Sequence, residues 1–106
     1  MQVLFDQGTP APLRQFLISH QVSTAYERDW STLKNGELLQ AAELAGFTVL
    51  VTTDTNLKYQ QNLAARKISI VVLSTTSWPR IKADLEPVVL AVNSAVPGNY
   101  VEVLVR

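Results

Sequence analysis

No cysteine occurs among the 106 residues. Disulfides, thiolate nucleophiles and structural zinc held by sulfur are thereby excluded, while the redox compartment stays open. Histidine occurs once, at His20, near a predicted helix end with no acid beside it in sequence. It reads as a surface or capping group, not as a catalytic base. Neither sign of charge is in excess: nine Lys and Arg stand against nine Asp and Glu, so no global positive field advertises a polyanion and any such contact must be local. No apolar run approaches the roughly 18 residues of a membrane span, and the start lacks the charged-then-apolar layout of a signal peptide. A cytoplasmic protein without a membrane partner is the expectation. What is present suits a folded chain: 47% of residues are hydrophobic and 17% charged, a balance wrong for disorder. The length gives one domain over residues 1–106, with a single core.

The chain reads as alternating strand and helix, without linkers, repeats or low-complexity stretches. Gln2 to Phe5 is a short strand that runs out at Asp6-Gln7-Gly8. Thr9 is a candidate helix cap, with Pro10 at the first helical position and Leu13, Phe16 and Leu17 at helical spacing as far as Ser19-His20. Gln21 to Ala25 is a brief second strand. The polar, aromatic-containing stretch Tyr26 to Lys34 has little periodicity and reads as a functional loop or short turn. Asn35 is a candidate N-cap, Glu37 lies in the first turn, and Leu38, Leu39, Ala42 and Ala45 form an apolar stripe up to Gly46, a residue suited to the left-handed position after a helix.

Phe47 to Thr52 and Ile68 to Leu73 are near-continuous apolar runs, the pattern of strands covered on both faces. Between them, Asn56 to Ala65 predicts a short helix with Leu57 and Leu63 inward and Lys58, Arg66 and Lys67 outward. Ser77-Trp78-Pro79 opens a last helical region with Ile81, Leu85, Val88, Val89 and Val92 on one face, which Pro87 must kink or divide. Pro97-Gly98-Asn99 turns the chain into Tyr100 to Val105, where Val101, Val103 and Val105 alternate with Glu102 as in a half-exposed edge strand.

Short links and right-handed crossovers assemble these elements into a three-layer α/β/α sandwich: a mostly parallel sheet of order 2-1-3-4 with a C-terminal edge strand. In that order the strand ending at Asp6 neighbours the strand ending at Asp54, on either side of the point where the strand order reverses. Ligands of open parallel sheets bind outside the carboxyl ends at such a point. Adjacent strands lie about 4.8 Å apart, so two carboxylates there can share a cation, and Glu37 at a helix start can lean over the same crevice. Mg²⁺ or Mn²⁺ suits this donor set, completed by water and substrate phosphate oxygens, and phosphodiester hydrolysis is the natural reaction of such a site.

The strand ending in Asp6 followed by Gly8-Thr9-Pro10, the helix start Asn35-Gly36-Glu37-Leu38-Leu39, and Val49-Leu50-Val51-Thr52-Thr53-Asp54 together resemble the small stand-alone PIN-like proteins often encoded as candidate toxins. The resemblance covers nearly the whole chain. It implies a Mg²⁺- or Mn²⁺-dependent endoribonuclease in which Asp6, Glu37 and Asp54 are the metal-binding, catalytic acids. It also implies an RNA substrate and a cognate antitoxin as partners, with a homodimer as one open oligomeric state. Many relatives carry an acid after the first aspartate and another two places after the later one, where this chain has Gln7 and Asn56. Neutral oxygens of Asn56 or of Ser74 and Thr75 are the candidates to fill that place, and fewer negative charges weaken cation affinity.

Each candidate also has a plainer reading. Asp6 and Asp54 can cap the helices next along the chain, and Glu37 is favourable in a first turn through the helix dipole alone. Lys58, Tyr59, Gln60 and Arg66 are candidate RNA contacts, with Gln61 and Asn62 beside them, but a solvated helix face looks the same. Trp30 and Trp78 read as packing residues before base-stacking platforms. Two other classes compete with the nuclease. One is a catalytically weakened PIN-like module that binds RNA or a partner protein, favoured by neutral Gln7 and Asn56. The other is a receiver-like phosphoacceptor domain, which shares the Asp-after-strand layout but lacks the acid pair at Asp6-Gln7 and the lysine ending a fifth strand.

Overall fold

The computed structural model describes residues 1–60, 63 and 66–106. Five strands, β1 (Gln2–Phe5), β2 (Gln21–Thr24), β3 (Val49–Thr52), β4 (Ser69–Leu73) and β5 (Tyr100–Val103), form one sheet of order β2-β1-β3-β4-β5. Every neighbouring pair is parallel, with Val3 opposite Val49, Val49 opposite Ser69 and Ile70 opposite Tyr100. The expected order and edge strand are therefore present. All residues of β3 and β4 are buried, as their unbroken apolar runs require, whereas Glu102 in β5 is exposed.

The alternation of side chains along each strand divides the core in two. On one face Leu4, Leu50, Ile70 and Val72 pack under α1 (Asn35–Leu44) and α2 (Leu57–Gln60). On the other, Val3, Phe5, Val49, Val51, Val71, Leu73 and Val103 pack under a 3₁₀ helix (Ala11–Phe16) and the helices α3 (Trp78–Ala83) and α4 (Leu85–Asn93). The expected helix after β1 is thus a six-residue 3₁₀ turn, held by i to i+3 bonds from Leu13 N–H to the Pro10 carbonyl and from Leu17 N–H to the Arg14 carbonyl. Thr9 does not cap it; the N-cap is Pro10, and the Thr9 hydroxyl is engaged elsewhere.

Helix α1 begins one residue earlier than expected, with Lys34 as N-cap and Asn35 as its first helical residue. The Glu37 carboxylate accepts the Lys34 N–H at 3.2 Å, so the first turn is capped from within. Gly46, at φ +89°, takes the left-handed position after the helix as its sequence suggested. Of the helix expected over Asn56 to Ala65, α2 supplies Leu57–Gln60, and residues 61, 62, 64 and 65 lie outside the described residues, with the Gln61 and Asn62 candidates among them.

The last helical region is divided between α3 and α4 at Asp84, whose φ of −141° and ψ of 54° leave the helix. Pro87 dictates the place. Its ring would collide with the carbonyl of Ala83 in a continuous helix, and its missing N–H costs nothing in the first turn of α4. The connections from β3 to β4 and from β4 to β5 step the same way across the sheet but pass over opposite faces, so their hands are opposite. Uniform right-handedness, expected from sequence, therefore fails at the last connection. The short 3₁₀ helix cannot cover its face alone, and Ile81, Val88 and Val92 complete that cover.

Candidate functional site

Asp6 follows β1 directly, and its N–H donates to the Val51 carbonyl at 3.1 Å, which ties the end of β1 to β3. Its carboxyl group is half-buried and ringed by donors. The Thr9 hydroxyl lies 2.8 Å from Oδ1 and the Thr52 hydroxyl makes a very short contact with Oδ2. The Thr9 hydroxyl also lies 2.8 Å from the Val51 carbonyl, so its single proton faces two acceptors. Burial pushes the Asp6 carboxyl above its ordinary pKa, and the hydrogen bonds from Thr52, Thr9 and the Gly8 and Thr9 backbone only partly oppose this.

Asp54 lies two residues beyond β3 and is held by amides. Its Oδ2 accepts from Asn35 Nδ2 at 2.9 Å and its Oδ1 from the Asn56 N–H at 2.9 Å, an Asx turn that starts the path into α2. Thr52 links the two acids: its hydroxyl contacts Asp6 and accepts the Asp54 N–H at 3.1 Å. The loops after β1 and β3 are pressed together at Gly8, where a Cβ would stand 2.5 Å from Thr53 Oγ1. A side chain there requires the Thr53 hydroxyl to move.

The other candidates are dispersed. Glu37 is exposed, with its carboxylate on the Lys34 N–H. Ser74 Oγ accepts the Val105 N–H at 2.8 Å and Thr75 Oγ1 accepts the Ser77 N–H at 3.1 Å; both hydroxyls thus fix local chain paths. Lys58 is paired with Glu102 at 2.5 Å, and its ammonium stands 5.1 Å from the ring of exposed Tyr59. Gln60 ends α2. Arg66 pairs with Glu43 at 2.8 Å, and Glu43 also accepts the Lys67 and Ile68 N–H groups that lead into β4. Arg66 and Lys67 therefore sit at the amino end of the sheet and Lys58 at the carboxyl end. The three outward cations of the expected helix, Lys58, Arg66 and Lys67, thus stand at opposite ends of the sheet. His20 too lies at the amino end, between the Met1 amine at 3.4 Å and Asn93 Oδ1 at 2.6 Å.

Asp6 lines two hollows at the carboxyl end. The smaller, about 180 Å³, runs between Asp6, Gln7, Ser31 and Asn35. The larger, about 620 Å³, lies on the side of the 3₁₀ helix, with Arg14, Tyr26, Glu27 and Trp78 in its walls. Sequence reasoning missed Thr52, Asn35 and Thr9 as partners of the acids. Their signal was present, since hydroxyl and amide residues cluster at the ends of the same strands, but it reads equally well as capping.

For a divalent cation the donors are two carboxylates with surrounding hydroxyl and amide oxygens. Among the described residues no group of three or more His, Cys, Asp or Glu side chains is placed to hold a metal ion. A Mg²⁺-type ion needs only one or two protein carboxylates when water and phosphate supply the rest, and each Asp6 and Asp54 oxygen retains acceptor capacity beyond its one side-chain or Asx-turn hydrogen bond. The donor chemistry fits such an ion, in a weak form.

The fold and these strand-end acids define a small, all-parallel, doubly wound α/β domain. No protein-family model, curated protein or solved structure matches the chain. No helix among the described residues is long and apolar enough to cross a membrane.

Proposed function

We propose that this chain is a PIN-like, Mg²⁺- or Mn²⁺-dependent ribonuclease, the toxin of a toxin–antitoxin pair, with Asp6 and Asp54 as its principal acids. The observation that carries this reading is their joint position: they end neighbouring strands at the reversal of strand order and are joined through the Thr52 hydroxyl. The bound ion would stabilise charge at phosphorus and lower the pKa of an attacking water. The chain's own residues orient the acids. Thr9 and Thr52 fix the Asp6 carboxyl plane, and Asn35 holds Asp54 toward the start of α1. Glu37 is exposed and has one carboxylate oxygen on the Lys34 N–H, so its contribution to metal binding would be the smallest of the three.

A specific observation favours a second reading, the weakened module that binds RNA or a partner protein. All four carboxylate oxygens of Asp6 and Asp54 already accept internal hydrogen bonds, and no third acid is grouped with them among the described residues. The deciding assay incubates purified protein with single-stranded RNA in Mn²⁺, Mg²⁺ or chelator, beside Asp6→Asn and Asp54→Asn. Metal-dependent cleavage lost in both variants supports the nuclease. RNA left equally intact by all three proteins, with a tightly bound partner recovered, replaces it with the module. Labelling of Asp54 by acetyl phosphate would instead return the receiver-like reading.

A further inference from the structure

The larger hollow shares Asp6, Gly8 and Thr9 with the acid site and extends past them to walls that do not hold the acids. It has the volume for one nucleotide, about 620 Å³, and Asp6 stands at its boundary with the proposed cleavage site. Its walls combine aromatic faces with a cation. Tyr26 is 77% exposed although it immediately follows buried Ala25, and the turn that presents it is fixed by bonds from the Arg28 and Trp30 N–H groups to the Ala25 carbonyl, with Asp29 at φ +61°. Trp78 is half-buried and braced by Phe16, at a ring separation of 5.9 Å. Arg14 is 35% exposed and shares its charge with Glu27 at 2.7 Å. At 77% exposure Tyr26 buries little of its ring, and aromatic faces beside a guanidinium suit an unstacked base and its phosphate.

We infer that this hollow receives one unpaired nucleotide of single-stranded RNA next to the scissile bond, its base against Tyr26 and Trp78 and its phosphate at Arg14. The inference rests on the ribonuclease reading for the identity of the ligand. A base held in a duplex cannot enter, because its faces are already stacked. With Glu27 beside Arg14, few phosphates are neutralised, so stacking carries the binding and its salt dependence is shallow.

The test is fluorescence anisotropy with a fluorescein-labelled ten-nucleotide RNA of mixed sequence, alone and annealed to its complement, in EDTA. The single strand is expected to bind about tenfold or more tightly than the duplex, and Tyr26→Ala to weaken it by a similar factor, while Tyr26→Phe restores it. Leu44→Ala removes another highly exposed large side chain, 82%, outside this hollow, and is expected to change nothing. Equal affinity of wild type and Tyr26→Ala, an equal loss on Leu44→Ala, or no RNA binding at all overturns the inference. Cleavage in Mn²⁺ is read separately. Tyr26-dependent binding without cleavage upholds the hollow and sinks the nuclease, and cleavage indifferent to Tyr26→Ala does the reverse.

Discussion

Asp6 and Asp54 occupy similar places at the ends of adjacent parallel strands, yet they are kept in different ways. Asp6 sits half-buried among hydroxyls, one from the chain just after it and one from β3, and burial disfavours its charge. Asp54 lies further past its strand and is gripped by a side-chain amide from α1 and by a backbone N–H. Hydroxyls, which can donate or accept, stand on both Asp6 oxygens beside the Gly8 and Thr9 N–H groups, whereas both Asp54 oxygens are met by nitrogen donors alone. Two residues of one type at matching positions are thereby given different work.

The largest expected effect would erase the comparison. If both acids hold one cation, Asp6→Asn and Asp54→Asn each lower metal-dependent RNA cleavage by about two orders of magnitude or more, whereas a division of labour leaves one variant markedly active; single-turnover rates separate the two. Next comes the contact that keeps the two loops together. Gly8→Val must force Gly8 and Thr53 apart, and a urea midpoint is expected to report a loss of about 1–3 kcal/mol. If the midpoint does not move, the approach of the two loops is not a constraint.

Asn35→Leu removes the amide that grips Asp54 and leaves the Asp6 shell untouched. The expected cost is about 1.5 kcal/mol in thermal or chemical unfolding. The Asp54 carboxyl NMR resonance should shift while that of Asp6 stays, and movement of both would show one coupled unit. The smallest effect is a slope. Because Asp6 is raised, its protonated form is favoured in the fold; its contribution to stability is full below the ordinary carboxylate range and is lost as pH rises through its folded pKa. Wild type minus Asp6→Asn stability is therefore expected to fall with rising pH. Glu27 and Glu43, lowered by Arg14 and Arg66 despite some burial, act oppositely and lose their contributions as pH falls, but they cancel in that difference.

Much of the strand architecture was legible because burial writes itself into composition. Val49 to Thr52 and Ser69 to Leu73 have no exposed face to encode, and Gln2 to Phe5 was bounded to the residue. Helix starts were less legible. Thr9 and Asn35 have the side chains of caps, but the Thr9 hydroxyl went to Asp6, three residues back, and to the distant Val51 carbonyl, and the Asn35 amide to the distant Asp54. Arg66 could not be separated from Lys58 by sequence spacing, yet the two pair with Glu43 and Glu102 at opposite ends of the sheet. Tyr26 lay in a stretch whose lack of period marked it as a loop, while its neighbour Trp30 was drawn into packing with Phe47 at 5.9 Å. Periodicity cannot tell which aromatic of a loop turns inward.

The opposite hand of the last connection bears on the order in which the chain can complete itself during synthesis. The face under α1 and α2 draws on residues up to Val72 together with Tyr100, so most of it exists before the final third of the chain emerges. The other face cannot close so early: Val3, Phe5, Val49 and Val51 wait for Ile81, Val88 and Val92, and Phe16 waits for Trp78. Until then an apolar surface stands open beside Asp6. The larger hollow, which needs Trp78 for one wall, comes into being only when that surface is shut.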